Sequence, residues 1–197
     1  MDFSVTIKNH VLEYYDEPHL YLCDGVMIPS ITTVLKHRFG NKYDGIPTQT
    51  LKRASDAGTE VHRAIQDYCE TGKASDLPEV RNFKFLQKHH CFMVEKCEVP
   101  VILFMNDLPV CAGRLDMVIS IDDHVGGADI KRTSVLDKEY LAYQLNLYRI
   151  AYRQCYGVEW EFLRGIHLRD QVRKFVDIPI NEKMAMDLMI DYVRCAK

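Results

Sequence analysis

Asp116, Asp129 and Lys131 are the residues whose types and spacing can do chemistry, and all three lie in the stretch GRLDMVISIDDHVGGADIK, 113 to 131. Two carboxylates and an ammonium gathered at one end of a sheet can hold a hard divalent cation through oxygen ligands and position a water beside it. Leu115, Met117, Ile119 and Ile121 alternate with other residues before Asp122-Asp123-His124, and Gly126-Gly127 lead into Ala128-Asp129-Ile130-Lys131. That pattern predicts two strands joined by a tight turn. Residues two apart on a strand share a face, so Asp129 and Lys131 point the same way while Ile130 turns into the core. If the strands pair across the turn, Asp116 approaches Asp129. Taken alone, a D-x-K at a strand end is an exposed ion pair of little consequence.

What gives the hairpin weight is its company. GTEVH, 58 to 62, precedes it and QLNLY, 144 to 148, follows it. The His62 imidazole suits manganese or another transition ion alongside carboxylates, although a lone helical histidine is more often a surface or satisfied core residue. Gln144 and Tyr148, four apart, stack on one helix face; by itself such a pair is ordinary core packing. Glu95 and Glu98 flank Cys97, and either can lie near the site or on an exposed strand.

The elements that must position these groups read as follows. Val5–Ile7 and Val11–Tyr15 alternate as strands, and His19–Cys23 with Val26–Ile28 form a hairpin about Asp24-Gly25. Ser30 caps a short helix that ends near Phe39-Gly40, and NKYDGIPTQT, 41 to 50, is a polar loop. A long amphipathic helix spans about Thr50 to Glu70. Gly58 in its middle costs about 1 kcal/mol relative to alanine, which implies close approach of another element or a break into two helices. Pro78 opens the next helix, through Phe83 and Leu86 to a solvated His89-His90 end. Val94–Met105 and Leu108–Ala112 are strands, Lys138–Cys155 is a helix closed by Gly157, and Glu159–Leu168 with Val172–Ile178 form a hairpin about Arg169-Asp170. Asn181 caps the last helix. The order predicts an α/β domain, a central mixed sheet covered by helices, with a β-rich entry segment at 1–47 and a core at 48–197.

At 197 residues the length suits one domain, and a formal charge of −3 with a pI near 6.2 excludes a protein that coats nucleic acid through charge alone. It does not exclude local binding, because a carboxylate site that recruits metal inverts its own charge. No apolar run nears the roughly 18 residues of a spanning helix, and the start MDFSVTIKNH lacks a secretory signal, so a cytosolic location with no membrane contact is expected. The seven cysteines include no C-x-x-C pair, which argues against a zinc ribbon or a disulfide scaffold.

GTEVH, GRLD, ADIK at 128 to 131 and QLNLYR at 144 to 149, in this order, resemble the PD-(D/E)XK nuclease superfamily, in the RecB-type branch that includes phage and prophage exonucleases. YLCDGVMIPSITTVL, 21 to 35, is similar to the entry segment of phage-type members, and the resemblance covers roughly residues 20 to 150. It implies a restriction-endonuclease-like core, Asp116 and Asp129 as metal-binding carboxylates, the Ile130 carbonyl and His62 as further ligands, and Lys131 as the catalytic lysine. Gln144 and Tyr148 would support the site and contact substrate. Ala128 stands where the superfamily's name has proline. The implied cofactor is one or two Mg²⁺ or Mn²⁺ ions, with histidine favouring Mn²⁺ somewhat. No iron–sulfur cluster is expected, because only Cys155 and Cys195 follow the Q-x-x-x-Y helix.

The implied activity is a metal-dependent DNA exonuclease working in recombination or end processing in a bacterial or phage-infected cytosol. Expected partners are DNA and a single-strand annealing protein or helicase; related phage exonucleases form ring-shaped homo-oligomers, and no sequence feature decides that here. Arg132 and Arg149 are candidate substrate contacts, with Arg153, Arg164, Arg169, Arg173 and Lys174 as a backbone-tracking groove or an ordinary solvated surface. Tyr140, Tyr143 and Tyr152 either stack on unpaired bases or pack in the core. The contrary readings are a nuclease-fold protein that binds without cutting, and a metal-free α/β protein.

Overall fold

In a computed structural model that describes residues 2–40 and 45–195, the chain enters as a four-stranded antiparallel meander. Its strands are β1 (Phe3–Ile7), β2 (His10–Tyr15), β3 (Leu20–Cys23) and β4 (Val26–Ile28). Asp24 and Gly25 both take positive φ, 52° and 77°, which is the backbone a two-residue hairpin turn requires. Pro29 then passes the chain to the second sheet, where its carbonyl accepts from the Ala112 N–H at 3.0 Å. The Ser30 hydroxyl accepts from the Thr33 N–H and starts α1 (Ile31–Phe39). The loop expected at 41 to 50 lies partly outside the described residues, and helix begins by Thr48.

α2 (Thr48–Thr71) and α3 (Pro78–His90) precede a five-stranded sheet of order β5-β6-β7-β8-β9. β5 (Met93–Met105), β6 (Leu108–Ile121) and β7 (His124–Lys131) are successive antiparallel strands. α4 (Lys138–Tyr156) crosses over to β8 (Phe162–Arg169), which pairs parallel to β7; β9 (Val172–Ile178) and α5 (Glu182–Cys195) finish the chain. The fold is thus α+β, with a mixed sheet flanked by helices. α2 is unbroken through Gly58, where an added Cβ would meet nothing within 4 Å, so neither a break nor a close neighbour explains that glycine. The expected strands at 108–112 and 113–121 are one strand. β8 begins at Phe162 instead of Glu159, because Glu159 and Trp160 are spent on contacts to α4.

Burial of apolar side chains on both faces of the sheet holds the helices against it, at about 25 cal/mol per Å² removed from water. Val61, Ile65, Val80 and Phe83 of α2 and α3 pack on Met117, Ile119, Ala128 and Ile130. Leu141, Leu145 and Tyr148 of α4 pack with Leu115, Val118 and Leu163. A third cluster joins Leu12, Tyr14 and Tyr21 of the meander to Ile102, Phe104 and Ala112, so the entry segment shares a core with β5 and β6. Among the described residues, no helix is long and apolar enough to cross a membrane.

Candidate functional site

Backbone register brings the two aspartates together. The β6–β7 ladder runs only to Met117↔Ala128. One step further the strands part, and Asp116 Oδ2 takes the Ile130 N–H at 2.6 Å in place of a strand partner. The N–H and C=O of one strand residue point to the same side, so the Ile130 carbonyl faces the same gap. Asp129 is buried, and Lys131 Nζ lies 2.5 Å from its Oδ2, aligned for charge contact rather than a directed hydrogen bond. Asp116, Asp129 and Lys131 therefore sit together at the end of the hairpin, as their spacing predicts.

His62 arrives from α2, its Nδ1 3.5 Å from Asp116 Oδ1 and 3.9 Å from Glu98 Oε1. Glu98 is the residue left open in the sequence. It holds a positive φ of 50° in the middle of β5, a strained position of the kind that functional sites retain, and it aligns between the paired residues Cys97↔Met117 and Val99↔Leu115. Glu95 instead accepts from the Ser120 hydroxyl. Arg114 was missed, although it is two residues before Asp116 and so shares its strand face. Its Nε lies 2.6 Å from Glu98 Oε2, and its guanidinium stands over the Tyr14 ring.

These groups line a cleft of about 340 Å³. Its other walls are Tyr14, His19 and Tyr21 of the meander, Ser30 and Thr32 at the start of α1, and Ser55, Gly58 and Thr59 on α2. Gln144 and Tyr148 face it from α4. The Tyr148 hydroxyl donates to the Arg114 carbonyl at 3.0 Å, and the Gln144 Oε1 is buried without a partner. Gly113 permits that contact, since a Cβ there would lie 2.8 Å from Tyr148 Cε1.

Arg132 and Arg149 do not line the cleft. Arg149 follows Tyr148 by about 100° around the helix, which turns it away. It donates to the Trp160 carbonyl and pairs with Glu159 and Glu182. Arg132 follows Lys131 on the opposite face of the strand and meets the buried Glu79 at 2.7 Å. Arg153 joins the Glu159–Glu182 network, Arg164 pairs with Asp177, and Arg173 stacks over Phe85, so these do not converge on a groove. Tyr143 and Tyr152 are buried, and Tyr140 packs on Phe39.

Electrostatics follow from crowding. Burial, reinforced by Asp116, pushes Asp129 up to about 6. Burial also opposes charge on Asp116 but is outweighed by His62, Lys131 and the Ile130 N–H, which hold Asp116 below the usual carboxylate range. Burial would depress His62, yet Asp116 and Glu98 raise it to about 10. Lys131 likewise resists burial through Asp129 and Asp116, and its pKa rises. An ammonium held this firmly is a fixed charge rather than a proton acceptor.

The donor set fits a cation. One donor atom each from His62, Glu98 and Asp116 lies within 4.8 Å of the others, close to the span of ligands that share one ion at about 2.2 Å. An imidazole and two carboxylates so placed could hold a metal ion.

No family model and no curated protein matches the sequence. Among solved structures, the crystal structure of SSO0001 is similar at 13% identity, covering 84% of this chain and 74% of that one with a TM-score of 0.47.

Proposed function

We propose that the chain is a metal-dependent deoxyribonuclease of the PD-(D/E)XK kind that hydrolyses phosphodiester bonds at DNA ends. The observation that carries this reading is the convergence of Asp116, Asp129 and Lys131 at one end of one cleft, with His62 delivered by a separate helix. On this reading the run α3–β5–β6–β7–α4–β8 is a restriction-endonuclease-like core, and the meander is an added wall.

His62, Glu98, Asp116, Asp129 and the Ile130 carbonyl would hold Mg²⁺ or Mn²⁺. When bound, the ion supplies Lewis acidity and charge neutralisation for attack on a phosphodiester. Lys131 places a fixed positive charge where negative charge develops on the phosphoryl oxygens, a contribution that typically amounts to about 100-fold or more in rate. Arg114, in place of Arg132 and Arg149, is the guanidinium that can meet a backbone phosphate in the cleft. Tyr148 is a positioning residue, since its hydroxyl is committed to the Arg114 carbonyl. The open Gln144 Oε1 offers an acceptor to a sugar hydroxyl or a base amine.

A cleft walled on one side by Tyr14, His19 and Tyr21 favours entry of an end over straddling of a continuous duplex. That supports exonuclease over endonuclease action, in keeping with a role in phage or prophage recombination within the bacterial cytoplasm beside an annealing protein or helicase. The test is digestion of linear and closed circular duplex with Mn²⁺, Mg²⁺ or EDTA. Metal-dependent loss of linear DNA alone is expected. Cutting of the circle would make the protein an endonuclease, and survival of both substrates would favour a protein that binds without cutting.

A further inference from the structure

The entry meander carries a separate set of ligand-type side chains, none of which lines the cleft. His10 opens β2, Cys23 closes β3, and Asp24 begins the turn that follows. Residues two apart share a strand face, and Leu12 stands opposite Cys23, so His10, Leu12 and Cys23 face the same way, toward Phe104. Asp24 folds back on β2 at a φ of 52°. Its N–H donates to the Val11 carbonyl at 2.9 Å, and its Oδ1 accepts from the Val11 N–H at 2.8 Å. That leaves Oδ2 beside the His10 ring, 2.6 Å from Nδ1. One donor atom from each of the three residues, the Cys23 Sγ included, lies within 4.8 Å of the others. The thiol sets this group apart from an ordinary surface ion pair. Cys23 is only 2% exposed, and its thiol has no hydrogen-bond partner among the described residues, whereas those of Cys91, Cys111 and Cys155 each find an acceptor. The imidazole and the carboxylate above it open to solvent, which gives an ion a way in.

We propose that His10, Cys23 and Asp24 form a metal site separate from the cleft, which takes Zn²⁺ with a water as the fourth ligand. A thiolate with an imidazole and a carboxylate selects Zn²⁺ over the harder Mg²⁺ or Mn²⁺. Ligands about 2.0–2.3 Å from one ion in a tetrahedron stand roughly 3.3–3.8 Å apart. The three side chains therefore need to shift by no more than about 1 Å, chiefly by parting His10 from Asp24. The Val11 N–H on Oδ1 holds the carboxylate so that Oδ2 faces the ion, the part an outer hydrogen bond plays at metal sites. On binding, the Cys23 thiol gives its proton to solvent. The ion then ties β2 to β3, the strands that carry Tyr14 and Tyr21 to the wall of the cleft. The proposal stands whether or not the chain cuts DNA.

The test is to titrate the reduced, metal-free full chain with Co²⁺, which reports by absorption where Zn²⁺ is silent, and then to add Zn²⁺. A sulfur-to-cobalt charge-transfer band in the near ultraviolet, with tetrahedral bands in the visible, is expected, and Zn²⁺ should abolish both. No cysteine lines the cleft, so Co²⁺ bound there cannot give the charge-transfer band. Cys23→Ser should remove that band. His10→Gln leaves the buried thiol in place, so it keeps the test decisive if Cys23→Ser does not fold. It should weaken the Co²⁺ binding read at the band by about 10-fold or more. Absence of the band in wild type, its survival in Cys23→Ser, or wild-type affinity in His10→Gln would overturn the proposal.

Discussion

Lys131 and Asp129 divide the work of the site through opposite responses to burial. The lysine keeps its charge because two carboxylates face it, while Asp129, one of those carboxylates, resists ionising up to about 6. An acid whose folded pKa exceeds its unfolded value of about 4 stabilises the fold at low pH, and that stability is lost as pH rises from about 4 to 6. Asp129→Asn should therefore make the metal-free protein more stable at pH 7, by about 2 kcal/mol in urea unfolding, and inactive. His62 has the other sign. Its pKa of about 10 stabilises the fold fully below about 6.5, and this is lost as pH rises through about 10. To ligate an ion His62 must give up that proton, so Mn²⁺ binding at pH 8 should release about one proton. Calorimetry in two buffers of different ionisation enthalpy would show this, and His62→Gln should abolish the difference. The aspartates, the lysine and the histidine were legible because strand and helix periodicities are local. Glu98 was only half legible, since its role depends on a positive φ that no residue type announces, and Arg114 required knowing that Tyr148 and Tyr14 would hold it.

At the scale of elements, the hairpin β6–β7 was readable to within a few residues because its apolar alternation and Asp-Asp turn agree. The α2 helix was readable in length, but its glycine was misread. Gly58 lines the cleft, and apart from the backbone of its own helix nothing lies within 4 Å of where its Cβ would be, so an added methyl would project into open space. Gly58→Ala should stabilise the protein by about 1 kcal/mol through helix propensity alone. It should also raise the KM for DNA, which a merely structural glycine would not do. Gly127 is a different case, since a Cβ there would lie 2.1 Å from the Trp160 ring. Gly127→Ala should cost about 2 kcal/mol or more, because β7 cannot approach Trp160 with a methyl between them.

Across the whole molecule, the arginines that looked like a groove in the sequence are mostly tied to acids. Charge pairing of this kind is set by tertiary neighbours far along the chain, such as Glu182 beside Arg149, and no local pattern reveals it. Arg149→Met should therefore lower stability, by about 2 kcal/mol since Arg153 still bridges the same glutamates, and leave DNA affinity unchanged. On the proposed function, Arg114→Ala should weaken DNA binding, because its guanidinium lines the cleft beside Glu98. With a net charge of −3, the DNA binding proposed above would draw on a few groups at the cleft and a bound ion rather than on a basic face.

The most direct measurement follows end-labelled linear duplex in Mn²⁺ and in EDTA, comparing wild type with Asp129→Ala and Lys131→Ala. Release of labelled nucleotide by wild type only with metal, cut at least about 100-fold in both variants while Lys131→Ala still shows a Mn²⁺ thermal shift, is the expected result. Equal release by all three proteins would contradict the assignment of this cleft as the site of hydrolysis.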